Sequence, residues 1–256
     1  QLLDTGYLHN HSRMWFASIW IFTLGYSWQS GARLFEDNLL DYCPASNTLG
    51  WRWVAGLQTK NKPYVAKAEN IKFFTKNKFY PKDQLKENIS LSLNFDETNK
   101  TLEYNVPDYD LLKHKKDLCV ILNNNDLSLY KVLDKLKLDY HCILFTSKQK
   151  NNLKNKFQSQ IYKDVCNRKP EIIITESHQH ILEWVKRKKI KNLLFPFETV
   201  GNKLFNDDKF LNNIKSLDIN YIFYLREWDR NAFPFATKNF FKFKKKIPYL
   251  LKISEY

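Results

Sequence analysis

At 256 residues the chain is long enough for one large or two ordinary domains. Its net charge of +14 is unevenly placed: residues 1–110 carry equal numbers of acids and bases, so the excess lies wholly beyond them. Four cysteines, Cys43, Cys119, Cys142 and Cys166, form no C-x-x-C pair. That excludes the usual zinc spacing and fits a reducing, cytoplasmic setting.

The apolar run at 14–26 is too short to span a bilayer and is interrupted by Ser18 and Thr23. It lacks the basic segment that would make it a signal sequence. The only methionine is Met14, so the chain is expected to begin inside a larger protein.

In chain order, residues 7–24 have helical spacing and stop at Gly25. Ser27 predicts the N-cap of a second helix over 28–40. Ser46 or Asn47 predicts the cap of a third, running through Trp51 to Ala55. A short helix comes next near 70–75. Residues 76–117 are polar and poor in pattern, and only 89–95 alternates like a strand.

From Leu118 the pattern changes. Apolar runs at 118–122, 142–145, 172–175, 193–195 and 221–224 alternate with amphipathic segments at 127–138, 153–165, 181–188 and 210–217. Strands alternating with helices predict a parallel, doubly wound sheet. Neither G-x-G-x-x-G nor a Walker sequence occurs in it. The last stretch, 226–256, is too rich in Trp and Phe for a free tail.

The chemistry concentrates in residues 6–64. Asn10, Arg13, Met14 and Ala17 fall at i, i+3, i+4 and i+7, on one helix face. Asp41 and Asn47 come after them, then Trp51 and Trp53. An amide, an ion-pair candidate and closely spaced tryptophans suit a buried redox ring better than hydrolysis.

The order His-Asn-x-x-Arg-Met, Trp-x-x-Gly, Leu-Asp, Asn-x-x-Gly-Trp-x-Trp over residues 5–75 resembles the flavin-binding domain of the DNA photolyase/cryptochrome family. The resemblance implies an FAD cofactor held by Asn10, Arg13, Asp41, Tyr42, Cys43 and Asn47. Arg13 would pair with Asp41 beside the ring. Asn47 would face flavin N5, where an amide cannot release a proton. Trp51 and Trp28 match the inner and middle members of the family's tryptophan electron-transfer chain, which makes Trp51, Trp28 and Asn47 the catalytic candidates. Asn10, His11, Met14, Trp53 and Lys67 are the candidates for DNA and lesion contact, with Trp53 packed against the dimer. The Asn10/Met14 pair is similar to cyclobutane-dimer enzymes rather than (6-4) enzymes.

The sequence departs from the family at three places. Cys43 replaces an acidic residue, His11 stands where Arg is frequent, and an Arg expected after Pro63-Tyr64 is missing. The rest of the flavin domain and an antenna domain before it are expected outside this chain. The chain by itself is therefore expected to purify without FAD.

Beyond residue 117 the functional signal thins. His178 and His180 come after the third strand, and 123–126 after the first; strand ends of this kind line ligand crevices, but Ser177 and Asp126 read more simply as helix caps. The basic excess is either a nucleic-acid face or composition. Lys outnumbers Arg 34 to 7, and Arg is the residue suited to bidentate contacts, so composition is favoured.

The expected fold is an α-helical, photolyase-like FAD-binding fragment followed by an α/β doubly wound, mostly parallel sheet domain. Its parts are 1–80, a linker at 81–117, the sheet domain at 118–225 and an aromatic, basic docking tail at 226–256. The expected activity is blue-light-driven repair of cyclobutane pyrimidine dimers, with damaged DNA as partner and no metal or membrane. The alternatives are a photosensor without repair and, for 118–256, a basic interaction module.

Overall fold

Glycines and caps cut the N-terminal part into short helices, because each supplies a backbone state or an acceptor that ends or begins a helical ladder. The structure is a computed structural model. It describes residues 1–59, 62–90, 112, 115–149, 151–199, 201, 205, 207–237 and 240–254. The expected strand at 89–95 lies mostly outside them. By internal contacts the chain forms two units: Gln1–Lys100 with Lys148–Tyr162 and Val200–Asn202, and Thr101–Ser147 with Lys163–Thr199 and Lys203–Tyr256.

In the first unit, α1 (Leu2–Thr5) closes at Gly6, whose φ is 66°. Then α2 (Asn10–Ser18) starts at His9, whose ring Nδ1 accepts the His11 N–H at 3.3 Å. The long helix expected over 7–24 is thus shorter at its start, and it changes type after Ser18. Residues Ile19–Thr23 form a π turn. Such a turn carries one residue more than the α repeat and so rotates the next residues about the helix axis. Here the Trp20 N–H reaches the Ser27 carbonyl at 3.0 Å.

The expected Ser27 cap is present: its hydroxyl accepts the Ser30 N–H and opens α3 (Trp28–Asn38). The expected cap at Ser46 or Asn47 is not. Pro44 begins α4 (Pro44–Val54), with Cys43 as the preceding residue. Proline's fixed φ suits a first helical turn, where its missing N–H costs nothing. Asn47 therefore lies inside the helix, and its side chain is released for other work. The short α5 is Ala68–Phe74.

These helices share a core of Leu2, Leu8, Ala17, Phe35, Leu39, Trp51 and Val54, ringed by Phe16, Trp20, Trp28, Tyr42 and Tyr64. Trp51 is 2% exposed and meets Phe35 edge-on at 5.1 Å. It also lies against α3 at Gly31, where an added Cβ would come within 2.1 Å of the indole. Gly31→Ala should therefore destabilise this unit by about 1–3 kcal/mol, as overpacking does, and should shift Trp51 emission. A variant with unchanged melting and emission would show that α3 and α4 can separate at no cost.

In the second unit five strands, β1 (Leu118–Leu122), β2 (Tyr140–Phe145), β3 (Ile173–Thr175), β4 (Asn192–Pro196) and β5 (Asn220–Tyr224), lie in the order β3-β2-β1-β4-β5. Every pairing is parallel, so the expected mostly parallel sheet is parallel throughout. All five residues of β1 are buried, as a central strand covered on both faces requires. In sequence, α6 (Tyr130–Lys135) and α7 (Asn152–Arg168) fall between the first three strands. One face of the sheet carries Cys119, Ile121, Ile143, Phe145, Leu193 and Phe195, packed with α8 (His178–Arg187) and α9 (Asp208–Ser216) through Ile181, Val185, Phe210 and Ile214.

After β5 the chain does not trail away. Arg226 forms a two-pronged ion pair with Asp126, its guanidinium nitrogens at 2.7 and 3.1 Å from the carboxylate. Helices Glu227–Ala232, Phe240–Lys244 and Ile247–Ile253 come next, with Ala232 and Leu250 buried. The expected docking tail is thus folded, and its contacts place it with the sheet unit. Among the described residues no helix is long and apolar enough to cross a membrane.

Candidate functional site

The inward faces of α2, α3 and α4 do not close on one another. They leave a cavity of about 470 Å3 whose wall includes Asn10, Arg13, Met14 and Ala17 from α2, Phe35 from α3, and Ser46, Asn47, Gly50, Trp51, Trp53 and Val54 from α4. Leu39, Asp41, Tyr42 and Cys43, between α3 and α4, complete it. The volume falls in the range of small-molecule and cofactor sites.

The structure thus brings together nine residues singled out from the sequence: Asn10, Arg13, Met14, Asp41, Tyr42, Cys43, Asn47, Trp51 and Trp53. It leaves three outside. Trp28 opens α3 and packs at the edge of the core. His11 turns its ring onto Phe74, 4.4 Å away, and towards Trp15. Lys67 lines a separate shallow groove with Pro63, Val65 and Glu87.

Arg13 and Asp41 pair as expected: one guanidinium nitrogen lies 3.0 and 2.8 Å from the two carboxylate oxygens. A second nitrogen donates to the Leu8 carbonyl at 2.8 Å. The pair is not deeply buried, because the Asp41 side chain is 53% exposed. It stands at the rim. There it costs little desolvation and orients more than it stabilises.

The Asn47 amide donates to the Ala32 carbonyl of α3 at 3.0 Å. One of its two N–H groups is thereby engaged, and the other N–H and the oxygen remain for a guest in the cavity. The Asn10 amide lies 3.8 Å from the Met14 sulfur, so these two side chains move as one surface. Trp53 stacks on Tyr64, with ring centres 5.3 Å apart and planes 26° from parallel. It is 36% exposed and forms an aromatic platform at the cavity's mouth.

Cys43 sits at the amino end of α4, and its thiol titrates below the ordinary value. Burial by itself pushes it up, but the Ser46 backbone N–H and hydroxyl and the Ala45 N–H favour the thiolate more strongly. Burial pushes Cys142 up to about 12 and Cys119 well above its usual value. Alkylation with iodoacetamide at mildly alkaline pH should therefore modify Cys43 before Cys119 or Cys142, and should narrow the cavity. Peptide mapping that finds Cys142 modified first in the folded protein would contradict this order.

Phe35, Leu39, Ser46 and Gly50 were not foreseen. A signal for two of them was present: Cys43, Asn47, Gly50 and Val54 repeat at helical spacing, and Ser46 joins the same turn. Phe35 and Leu39 read as plain core residues and gave no sign.

Two features test the cavity for a flat heteroaromatic guest. The Trp51 indole N–H is buried without an acceptor among the described residues, so the chain's own described groups do not meet the polar demand of the wall. At Gly50 an added Cβ would meet nothing within 4 Å, so the wall there is backbone open to a ring. The residues present fit such a group.

In the sheet unit, His178 stacks between Phe145 and Phe210, with centres at 4.9 and 4.3 Å. The Ser177 hydroxyl accepts the His180 N–H and caps α8, and the His180 ring bonds Thr175 at 3.0 Å. Asp126 receives the Ser128 N–H and pairs with Arg226. Packing and turn formation thus account for these side chains. Among the described residues no group of three or more His, Cys, Asp or Glu is arranged to hold a metal.

A helical domain with a ring-sized cavity between aromatic and amide side chains defines a cofactor-binding class of protein. The profile of the family described as the FAD binding domain of DNA photolyase matches residues 1–115. A deoxyribodipyrimidine photo-lyase of Alkalihalophilus pseudofirmus is 45% identical over 64 residues, which is 25% of this chain and 13% of that protein. One from Streptomyces griseus is 46% identical over 63 residues, 25% of this chain and 14% of that protein. A cryptochrome DASH of Vibrio parahaemolyticus is 42% identical over 57 residues, 22% of this chain and 13% of that protein. The match thus spans less than a sixth of these relatives. No solved structure matches the chain. Residues 1–115 are thus similar to the FAD-binding domain of the photolyase/cryptochrome family, whose cofactor is FAD.

Proposed function

We propose that this chain contributes the inner half of a flavin pocket to a protein that repairs cyclobutane pyrimidine dimers by light-driven electron transfer. The observation that carries the reading is the convergence of Asn10, Met14, Asn47, Trp51 and Trp53 on one cavity. FAD, when bound, supplies the electron to the lesion.

The chain's own residues perform the rest. The Asn47 oxygen accepts a ring N–H and, being an amide, neither gives nor takes the proton. The Arg13–Asp41 pair holds the rim. Trp51 fills the wall. Trp53, braced by Tyr64, offers a flat face to an extruded base, and Met14 and Asn10 offer a soft, partly polar one. A damaged pair must leave the duplex to reach them, and it unstacks at lower cost than intact bases.

The similarity to cryptochromes DASH from Vibrio parahaemolyticus and Idiomarina loihiensis favours a second reading, a blue-light sensor with the same flavin. Sensing has no need of Trp53 and Met14 at the mouth. Thymine-dimer loss under blue light, in the flavin-loaded protein, tests the choice. Normal flavin photochemistry without dimer loss would leave the sensor.

A further inference from the structure

Beside the cavity, at the end of α5, lies a second surface that the site residues do not include. From the end of α5 the chain reads KFFTKNKFYPK, so that rings and lysines interleave. Phe73 is 75% exposed, Phe74 50% and Phe79 57%. For apolar rings on one short segment this is unusual exposure. We propose that Phe73 and Phe74, flanked by Lys72, Lys76 and Lys78, form a platform for single-stranded nucleic acid next to the cavity.

Three observations converge on that occupant. The first is charge. Lys72, Lys76, Lys78 and Lys82 stand within the segment, and its nearby acids are mostly engaged. Glu69 accepts the Tyr80 hydroxyl and Glu87 accepts the Ala68 N–H at 2.8 Å; with Asp83 they offset only part of the charge of the four lysines. The lysines are also held in place. Lys72 lies 4.2 Å over the Tyr80 ring and Lys78 5.5 Å over Phe79, so cations border the outer rings. A polyanion with flat faces matches this surface; a neutral apolar segment would leave the cations unused.

The second observation is geometry. Phe73 and Phe74 meet edge to face, with centres 5.1 Å apart and planes 89° from parallel. Two perpendicular rings present one face and one edge, which suits a base stacked on one and flanked by the other. Stacking on aromatic faces is sequence-tolerant and needs an unpaired base. Duplex hides its base faces, so the surface selects single strands.

The third is continuity. Phe74 touches His11 at 4.4 Å, and the neighbouring Asn10 lines the cavity. The Trp15 indole fixes α5 to α2 through Asn70 at 3.0 Å. The platform is therefore rigidly placed beside the cavity's mouth, and a strand opened there to present a base would find its next unpaired bases over Phe74 and Phe73. The proposal deepens the nucleic-acid reading above and rests on it for what occupies the cavity, but the platform's own binding is measured without flavin or light.

The test is fluorescence anisotropy of the 256-residue chain with labelled dT12, against a duplex of equal length. The double variant Phe73→Ala/Phe74→Ala should weaken dT12 binding about tenfold or more while duplex affinity changes less than about twofold. Lys72→Gln/Lys78→Gln should flatten the salt dependence by roughly one unit of log–log slope. Phe73→Trp/Phe74→Trp should retain binding. Circular dichroism and thermal melting serve as controls for folding. Unchanged dT12 affinity in the alanine variant, or equal loss on both probes, would overturn the platform. So would a changed sedimentation coefficient with unchanged dT12 affinity, which would make the patch a contact between copies. Absence of dimer loss under blue light in the flavin-loaded full-length protein, with the dT12 pattern intact, would instead count against the repair reading and leave the platform standing.

Discussion

In the full-length protein, Trp51→Phe should slow photoreduction of bound oxidised flavin by roughly a hundredfold or more, while flavin affinity stays within a few fold. Trp51 is the buried indole in the cavity wall, 2% exposed. Phenylalanine keeps most of the ring contact with Phe35 and Phe16 but is far harder to oxidise, and each 1.4 kcal/mol added to the barrier is about a tenfold loss of rate. The lost volume should cost roughly 1–3 kcal/mol of stability, which leaves the pocket assembled for the measurement. Transient absorption on the flavin-loaded protein reads the rate directly. A rate equal to that of the parent protein would reassign Trp51 to packing.

Trp53→Ala should reduce binding to dimer-containing DNA by about tenfold or more and leave flavin affinity unchanged. Stacking of a base on an aromatic ring is typically worth about 1–3 kcal/mol. Trp53 is braced face-on by Tyr64 at 5.3 Å, so its plane is set before any base arrives and little ordering entropy opposes binding. Its partial exposure also means that the substitution removes little core, and melting should barely move. Equal affinities for damaged and intact strands in the parent protein would remove the lesion role and leave a flavin photosensor.

The two predictions separate along the cavity's depth. Trp51 lies at the wall, sealed by Gly31, and its proposed role is redox. Trp53 lies at the mouth, and its proposed role is to stack a base. The Phe73–Phe74 platform lies beyond the mouth, on the far side of His11. A nucleic-acid strand would thus meet, in order, a stacking surface for its unpaired neighbours, a platform for the extruded base, and the ring pocket.

The β strands were legible because a parallel strand covered on both faces leaves a continuous apolar run; 118–122 coincides with β1 to the residue. The site residues on α2 were legible because one face of one helix carries them at fixed spacing. Helix starts were less so. Ser27 acts as a cap because a free residue precedes α3, whereas Ser46 and Asn47 resemble caps in type but come after Pro44, which had already begun the helix. A local rule that scores residue type sees both sites alike. Only the chain's path before Cys43 tells them apart.

By itself the sequence determined the resemblance of residues 5–75 to a flavin-binding domain, the parallel sheet beyond residue 117, and the chemistry available on α2 and α4, since each rests on local spacing and residue type. The tertiary structure alone decided how those residues meet. It turned the Asn47 nitrogen to Ala32, left the Trp51 N–H without an acceptor among the described residues, put the Arg13–Asp41 pair at the rim, and kept Trp28 and Lys67 out of the cavity. It also left Phe73 and Phe74 exposed, although their composition matches that of core residues. The physical reason is the same in each case. Burial, hydrogen-bond pairing and exposure depend on what packs against a side chain, and residues far apart in sequence, such as Trp15 and Asn70 at 55 positions, supply those contacts here.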